Sequence, residues 1–144
     1  WRENLSLRRR TSVPIIWDEL ALNEEDILKI AVEDGADGIG LKISKNGGLT
    51  KCRRQRDICL SAGYTMSVQD TTGSDIAFAA IVHLGQTLPK KYLRCILDCR
   101  DMVTVKIADG DFGVVNGFVS APQSFGLGVT PRLEVLGQPL FSYG

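Results

Sequence analysis

The chain carries the sequence GIGLKISKNGG at residues 38–48, and this stretch determines how the rest of the sequence is interpreted. Successive side chains of a strand point to opposite faces, so Ile39 and Leu41 share one face while Gly40 and Lys42 share the other. The branched pair suits a face covered by helices, and the Gly–Lys pair suits the interior of a barrel that opens into a pocket. The Asn-Gly-Gly that follows is a strong turn signal. The stretch therefore predicts a buried strand that ends at Lys42.

The same unit of strand and helix recurs along the chain at a nearly constant spacing. Apolar runs end, at intervals of 24, 28 and 28 residues, at Asp18, Lys42, Asp70 and Asp98. A strand, a helix and two short loops take about that many residues, as in the βα units of a parallel sheet. A helix start signal agrees with this reading, because Asn23 is a good N-cap and Asp26 follows three residues later. The sequence predicts an α/β fold.

Each of the four runs ends in an ionisable side chain. The carboxyl ends of parallel strands meet at one edge of a sheet, where functional sites gather. The pattern predicts a shared polar site there, with Gln69 pointing inward on the polar side of its strand and Asp70 at the rim. Unconnected charges on solvated loops are the simpler alternative.

Lys42 and Asp18 each have two interpretations. A lysine desolvated in an apolar pocket has a lowered pKa and can act as a general base, whereas a lysine at a strand end can also extend its ammonium group into solvent. Three carboxylates on neighbouring strand ends can hold Mg²⁺, and Asp18 can be one of them. An aspartate in a strand-to-helix turn also commonly makes only local hydrogen bonds.

Composition and charge exclude several classes of function. The 144 residues include 17 basic and 17 acidic side chains, so the net charge is +0, which argues against general binding of nucleic acid or of anionic membranes. No apolar run approaches the roughly 18 residues of a membrane helix. The 4 cysteines form no CxxC pair and are typical of reduced thiols, so we expect a cytoplasmic protein. The single histidine, His83, lies on an apolar helix stripe and is expected to be structural.

The pattern changes after Arg100. Residues 102–107 are expected to form a strand, and residues 112–115 and 118–120 are short strand candidates beside an Asn-Gly turn. The sequence therefore predicts a partial βα-barrel domain at residues 1–101 and a β-rich tail at residues 102–144.

Three stretches together resemble the enolase superfamily, and within it the muconate-lactonizing-enzyme subgroup. They are VPIIWDE at residues 13–19, ADGIGLKISKNGGLT at residues 36–50 and QDTTGSDI at residues 69–76. The resemblance covers the C-terminal part of that family's barrel, and FGLGV at residues 125–129 resembles the tail that returns to the capping region. Residues 69–89 are most similar to enzymes of the cis-3-hydroxy-L-proline dehydratase and hydroxyproline-betaine epimerase type.

The resemblance implies a fold and a reaction. The fold would be the C-terminal half of a (β/α) barrel, equivalent to strands five to eight, with a β-rich tail. Asp18 would be a Mg²⁺ ligand and Lys42 an acid/base lysine, while Gln69, Asp70 and Asp98 would contact the substrate. The reaction would remove the proton α to a carboxylate of a cyclic amino acid such as cis-3-hydroxy-L-proline, through an ene-diolate, with dehydration or epimerisation as the outcome.

Other family motifs are absent from this sequence. The KxK motif of the second strand, the first two metal carboxylates and the body of the capping domain do not occur. The main alternative is therefore a catalytically incomplete half-barrel that serves as an interaction or assembly module, with self-association through its open sheet edge. A phosphate-binding role for the turn at Gly47 and Gly48 is a weaker alternative.

Overall fold

The computed structural model of the protein describes residues 1–70, 74–110 and 112–143. Four parallel strands form one sheet in the order of the chain: β1 (Ile16–Trp17), β2 (Gly38–Lys42), β3 (Thr65–Gln69) and β4 (Leu93–Ile96). The helices are α1 (Arg2–Arg8), α2 (Glu24–Val32), α3 (Leu49–Ser61), α4 (Asp75–Gln86) and α5 (Leu133–Leu136). The predicted α/β class with a parallel sheet is confirmed, and each strand ends within two residues of its predicted end. Residues 71–73, within the QDTTGSDI stretch, lie outside the described residues.

The first βα connection shows why the sequence folds locally as predicted. The Asn23 side chain accepts a hydrogen bond of 2.9 Å from the Asp26 backbone N–H, which satisfies a donor at the start of α2. Acidic side chains in this first turn also oppose the positive end of the helix dipole. Ile27 and Ile30, three residues apart, bury one face of α2 against the sheet.

The two faces of the sheet have different surroundings. Leu41 and Val68, on neighbouring strands, are fully buried in the core that α2, α3 and α4 complete. On the other face a Cβ added to Gly40 would lie 2.9 Å from Gln69 Nε2 and 3.3 Å from Asp18 Cγ. The predicted alternation is therefore confirmed, and Gly40 leaves the space in which the polar side chains of three strands meet.

The predicted strand at residues 102–107 is wrong. Residues Arg100–Met102 form a 3₁₀ turn, and the first strand of the tail is β5 (Ala108–Gly110), which pairs antiparallel with β6 (Val129–Pro131). The physical reason lies in α4, where the Asp75 carboxylate accepts the backbone N–H groups of Ile107 at 3.1 Å and Ala108 at 3.4 Å. Asp75 thus binds the backbone at the point where β5 begins, and residues 103–107 pair with no strand among the described residues.

The two short strand candidates of the tail reduce, within the described residues, to one antiparallel bridge between Val115 and Phe118. Asn116 and Gly117 form the turn between them with φ values of 51° and 78°. The division of the chain at residue 101 stays a prediction. Among the described residues, every helix is too short or too polar to cross a membrane.

Candidate functional site

Five polar side chains meet at the carboxyl ends of β1, β2 and β3. We call them the Asp18 cluster: Asp18, Glu19, Lys42, Lys45 and Gln69. The Asp18 carboxylate is at its centre, with Oδ2 2.8 Å from Lys42 Nζ and Oδ1 2.8 Å from Lys45 Nζ. Gln69 Nε2 donates to Oδ2 at 3.2 Å. The sheet therefore brings together three of the residues that the sequence singled out.

Lys42 is held by two carboxylates. Its side chain is only 11% exposed, and Nζ lies 2.6 Å from Glu19 Oε1 in addition to its contact with Asp18. Burial by itself lowers the pKa of Lys42, but hydrogen bonds and charge from Asp18 and Glu19 outweigh it and raise the pKa above its ordinary value. The lowered pKa of the general-base interpretation is therefore not found in this arrangement, in which the ammonium form is favoured.

Asp18 shows the reciprocal effect. Burial raises the pKa of its carboxyl group, but the hydrogen bonds and charges of Lys42 and Lys45 outweigh burial and lower the pKa below its ordinary value. Both carboxylate oxygens thus lie in a strongly cationic environment.

Sequence reasoning missed two members of the cluster, Glu19 and Lys45. Lys45 Nζ binds the Asp18 backbone carbonyl at 2.5 Å as well as the carboxylate. Both residues lie in loops that leave the same sheet edge, one and three positions after a strand-end residue. A search for charged side chains in the loops that follow the strand ends would have found them.

Asp70 and Asp98 make other contacts. The Ser44 hydroxyl donates to the buried Asp70 carboxylate, which links the end of β3 to the loop after β2. Asp98 forms a two-pronged ion pair with Arg100, with Nη2 2.6 Å from Oδ2 and Nε 2.9 Å from Oδ1. The hydrogen bonds from Arg100 lower the pKa of Asp98 despite partial burial. A substrate contact for either carboxylate stays a prediction.

The described part of the chain does not by itself fit a Mg²⁺ site. Within residues 1–70, 74–110 and 112–143, no group of three or more His, Cys, Asp or Glu side chains is placed to hold a metal ion. Mg²⁺ prefers several oxygen ligands, and Asp18 offers one carboxylate that two ammonium groups already bind.

Comparison with known proteins places the chain among larger enzymes. Residues 3–135 match the family model described as enolase C-terminal domain-like. The cis-3-hydroxy-L-proline dehydratase of Roseibium aggregatum is 41% identical over 143 residues, which are 99% of this chain and 39% of that protein.

Two solved structures agree with this placement. A protein from Aspergillus oryzae described as a mandelate racemase/muconate lactonizing enzyme is 66% identical with a TM-score of 0.95, covering 99% of this chain and 40% of that chain. A protein of the same description from Roseovarius nubinhibens, complexed with magnesium, is 46% identical with a TM-score of 0.95, covering 100% of this chain and 40% of that chain. The parallel sheet thus corresponds to the C-terminal part of their barrel, and the chain spans about two fifths of the relatives' length.

Proposed function

Because this chain belongs to the enolase C-terminal domain-like family, we propose that it supplies the C-terminal barrel part of a Mg²⁺-dependent dehydratase or epimerase. The substrate we propose is a cyclic amino acid such as cis-3-hydroxy-L-proline, since the Roseibium aggregatum relative is a dehydratase of that compound. The reaction begins with removal of the proton α to the carboxylate.

The Asp18 cluster is the observation that carries this proposal. It places a buried lysine and a carboxylate 2.8 Å apart at the carboxyl ends of neighbouring parallel strands. Such ends carry the catalytic groups of βα barrels. A lysine can act as a general base, and a carboxylate can hold the Mg²⁺ that stabilises an ene-diolate.

Lys42 has the proposed role of acid/base group. As a neutral amine it would take the α proton while the electron pair of the C–H bond moves into the substrate carboxylate, giving an ene-diolate. Loss of a β-hydroxyl group as water, with the extra proton supplied by the Lys42 ammonium formed in the first step, would complete a dehydration. Return of a proton to the other face, from an acid outside the described residues, would complete an epimerisation. Asp18 and Glu19 favour the protonated form of Lys42, which must lose its proton before it can act as a base. The substrate-bound arrangement must therefore separate Lys42 from at least one of these carboxylates.

Asp18 is proposed as one carboxylate of a shared Mg²⁺ site. Since the described part of the chain holds no group of three or more possible ligands around Asp18, the remaining carboxylates would come from protein outside this chain. Gln69 donates to Asp18 and would fix the orientation of its carboxylate. Asp70 and Asp98 remain proposed substrate contacts.

A chimera tests the proposal. The chain would replace the matching C-terminal segment of the Roseibium aggregatum dehydratase, and conversion of cis-3-hydroxy-L-proline would be measured. We expect activity that Lys42→Ala lowers by about 10²–10⁴, the usual contribution of a general acid or base. The exposed Lys90→Ala is the control and should keep full activity. A folded chimera in which Lys42→Ala leaves turnover unchanged would overturn the assignment.

A role as a non-catalytic assembly module has a separate observation in its favour. Among the described residues, the edge strands β1 and β4 each pair with only one strand. Several large apolar side chains of the tail are also exposed: Phe118, Phe125, Leu140, Phe141 and Tyr143. Open edges and apolar surface both promote association. Sedimentation over a range of concentrations separates the two functions, since a stable monomer would exclude self-assembly.

A further inference from the structure

Two amide side chains lie buried beneath the Asp18 cluster, where the core is otherwise apolar. Asn46, in the loop after β2, is 1% exposed, and Gln55, on α3, is 0% exposed. Ala21, whose carbonyl bonds to Asn46, and Cys52, three residues before Gln55 on α3, are both fully buried. Apolar side chains would fill such a space without the cost of burying polar groups, so the amides require a reason beyond packing.

Asn46 joins the two loops that carry the cluster. Its side-chain Oδ1 accepts a hydrogen bond from the backbone N–H of Lys42 at 3.1 Å. The backbone N–H of Asn46 donates to the Lys42 carbonyl at 2.8 Å. On its other side Nδ2 donates to the Ala21 carbonyl at 2.7 Å. Ala21 closes the turn that begins at Asp18, because its N–H donates to the Asp18 carbonyl at 3.0 Å. One side chain thus bonds to the backbone of Lys42 and to the turn of Asp18.

Gln55 holds Asn46 in this position. Gln55 Oε1 accepts from Asn46 Nδ2 at 2.7 Å, and Gln55 Nε2 donates to the Asn46 carbonyl at 3.2 Å. A longer bond of 3.4 Å runs from Gln55 Nε2 to Glu24 Oε2, at the start of α2. The amide atoms are therefore satisfied, and a satisfied buried network fixes its members in one arrangement.

We propose that Asn46 and Gln55 are positioning residues that set the distance and orientation of Lys42 relative to Asp18. Their importance for catalysis rests on the proposed function of Lys42, but their effect on its position does not. Directional bonds to two loops can hold a lysine and a carboxylate in register, and apolar contacts lack that directionality.

Amine labelling of the 144-residue chain tests this positioning without any catalytic assay. Each lysine is reductively methylated under native conditions, and the rate at each site is read by mass spectrometry. In Asn46→Leu we expect Lys42 to react about fivefold faster, as expected when one net hydrogen bond of stabilisation is lost. Gln55→Met, which leaves the Asn46 bonds to both loops possible, should show a smaller increase. The exposed Lys51 and Lys90 should not change.

Cys59→Ala is the matched control. Cys59 is fully buried on α3, the helix that carries Gln55, but it belongs to the apolar core. Rates are compared at equal free energy of unfolding, set with urea, so that general destabilisation cancels. The proposal is overturned if Lys42 reacts no faster in Asn46→Leu and Gln55→Met than in Cys59→Ala. Should Asn46→Leu not fold, Gln55→Met alone decides. An inactive chimera with normal Lys42 protection in the native chain would instead contradict the proposed function.

Discussion

Two phenylalanines, Phe78 and Phe125, differ in exposure because they lie in different regions of the molecule. Phe78 is 1% exposed in the βα region (residues 16–98), whereas Phe125 is 103% exposed in the tail (residues 102–143). The βα region contributes most of the buried apolar side chains of the core. In the tail only a few apolar side chains reach that core, among them Phe112 and Ala121. The difference indicates that the βα region supplies the stability and that the tail depends on its attachment to α4.

The largest expected loss of stability comes from removing a buried side chain of the βα region. The buried Phe78 ring has its centroid 5.4 Å from that of Phe112 and 4.1 Å from Arg100 Cζ. Phe78→Ala removes this ring, so it should lower the free energy of unfolding by about 3–5 kcal/mol. Phe125→Ala should change it by less than about 0.5 kcal/mol. Urea unfolding followed by tryptophan fluorescence measures both. Similar losses for the two variants would contradict the division between the regions.

The next effect concerns the attachment of the tail. Asp75→Ala removes the acceptor of the Ile107 and Ala108 N–H groups, of which the first is part-buried and the second buried, and leaving them unpaired should cost about 1–3 kcal/mol. Amide hydrogen exchange should rise first at residues 107–110 and at Val129 and Thr130, with the amides of β2 and β3 still protected.

Glu25→Ala is the matched control for Asp75→Ala, since both acidic residues lie in the first turn of a helix. It reproduces the loss of a favourable helix-dipole interaction, about 0.3–1 kcal/mol, without releasing the tail. Uniform loss of protection in Asp75→Ala, including β2 and β3, would show that tail and βα region unfold as one unit.

The sequence was informative where structure is local. The strand ends at Asp18, Lys42 and Asp70 follow from apolar runs and turn signals within a few residues, and the N-cap at Asn23 follows from a three-residue spacing. These features depend on neighbours in the chain, so a single sequence suffices to predict them.

The sequence was misleading where a distant residue decides. The alternating residues 102–107 read as a strand because nothing nearby shows that Asp75, 32 positions from Ile107, accepts the backbone donor there. The raised pKa of Lys42 depends on Asp18 and also on Glu19, whose exposed side chain turns toward the lysine from another loop. Long side chains on loops are oriented by tertiary contacts, which periodicity does not encode.

The smallest expected changes in stability come from removing one ion pair in each region. Arg100 binds Asp98 with two hydrogen bonds and stacks on Phe78, whereas Arg132 binds Asp109 with two hydrogen bonds in solvent. In both pairs hydrogen bonds from the arginine lower the pKa of the aspartate in the folded state. A lowered pKa gives stability that is fully present above the unfolded value, about 3.9, and is lost as pH falls through the folded value.

The variants Arg100→Met and Arg132→Met should therefore lose stability with the same pH dependence but with different sensitivity to salt. The stability difference from the native sequence should be greatest near neutral pH for both variants and should shrink below about pH 4. It should be larger for Arg100→Met, because that arginine is half-buried and also packs on an aromatic ring, and it should persist in 1 M salt. For Arg132→Met salt should remove most of the difference, since exposed pairs are screened. Urea unfolding at pH 2.5, 4 and 7, with and without salt, measures this. Equal salt sensitivity would mean that Arg100 is as solvated as Arg132 and that the core of the βα region does not extend to the start of the tail.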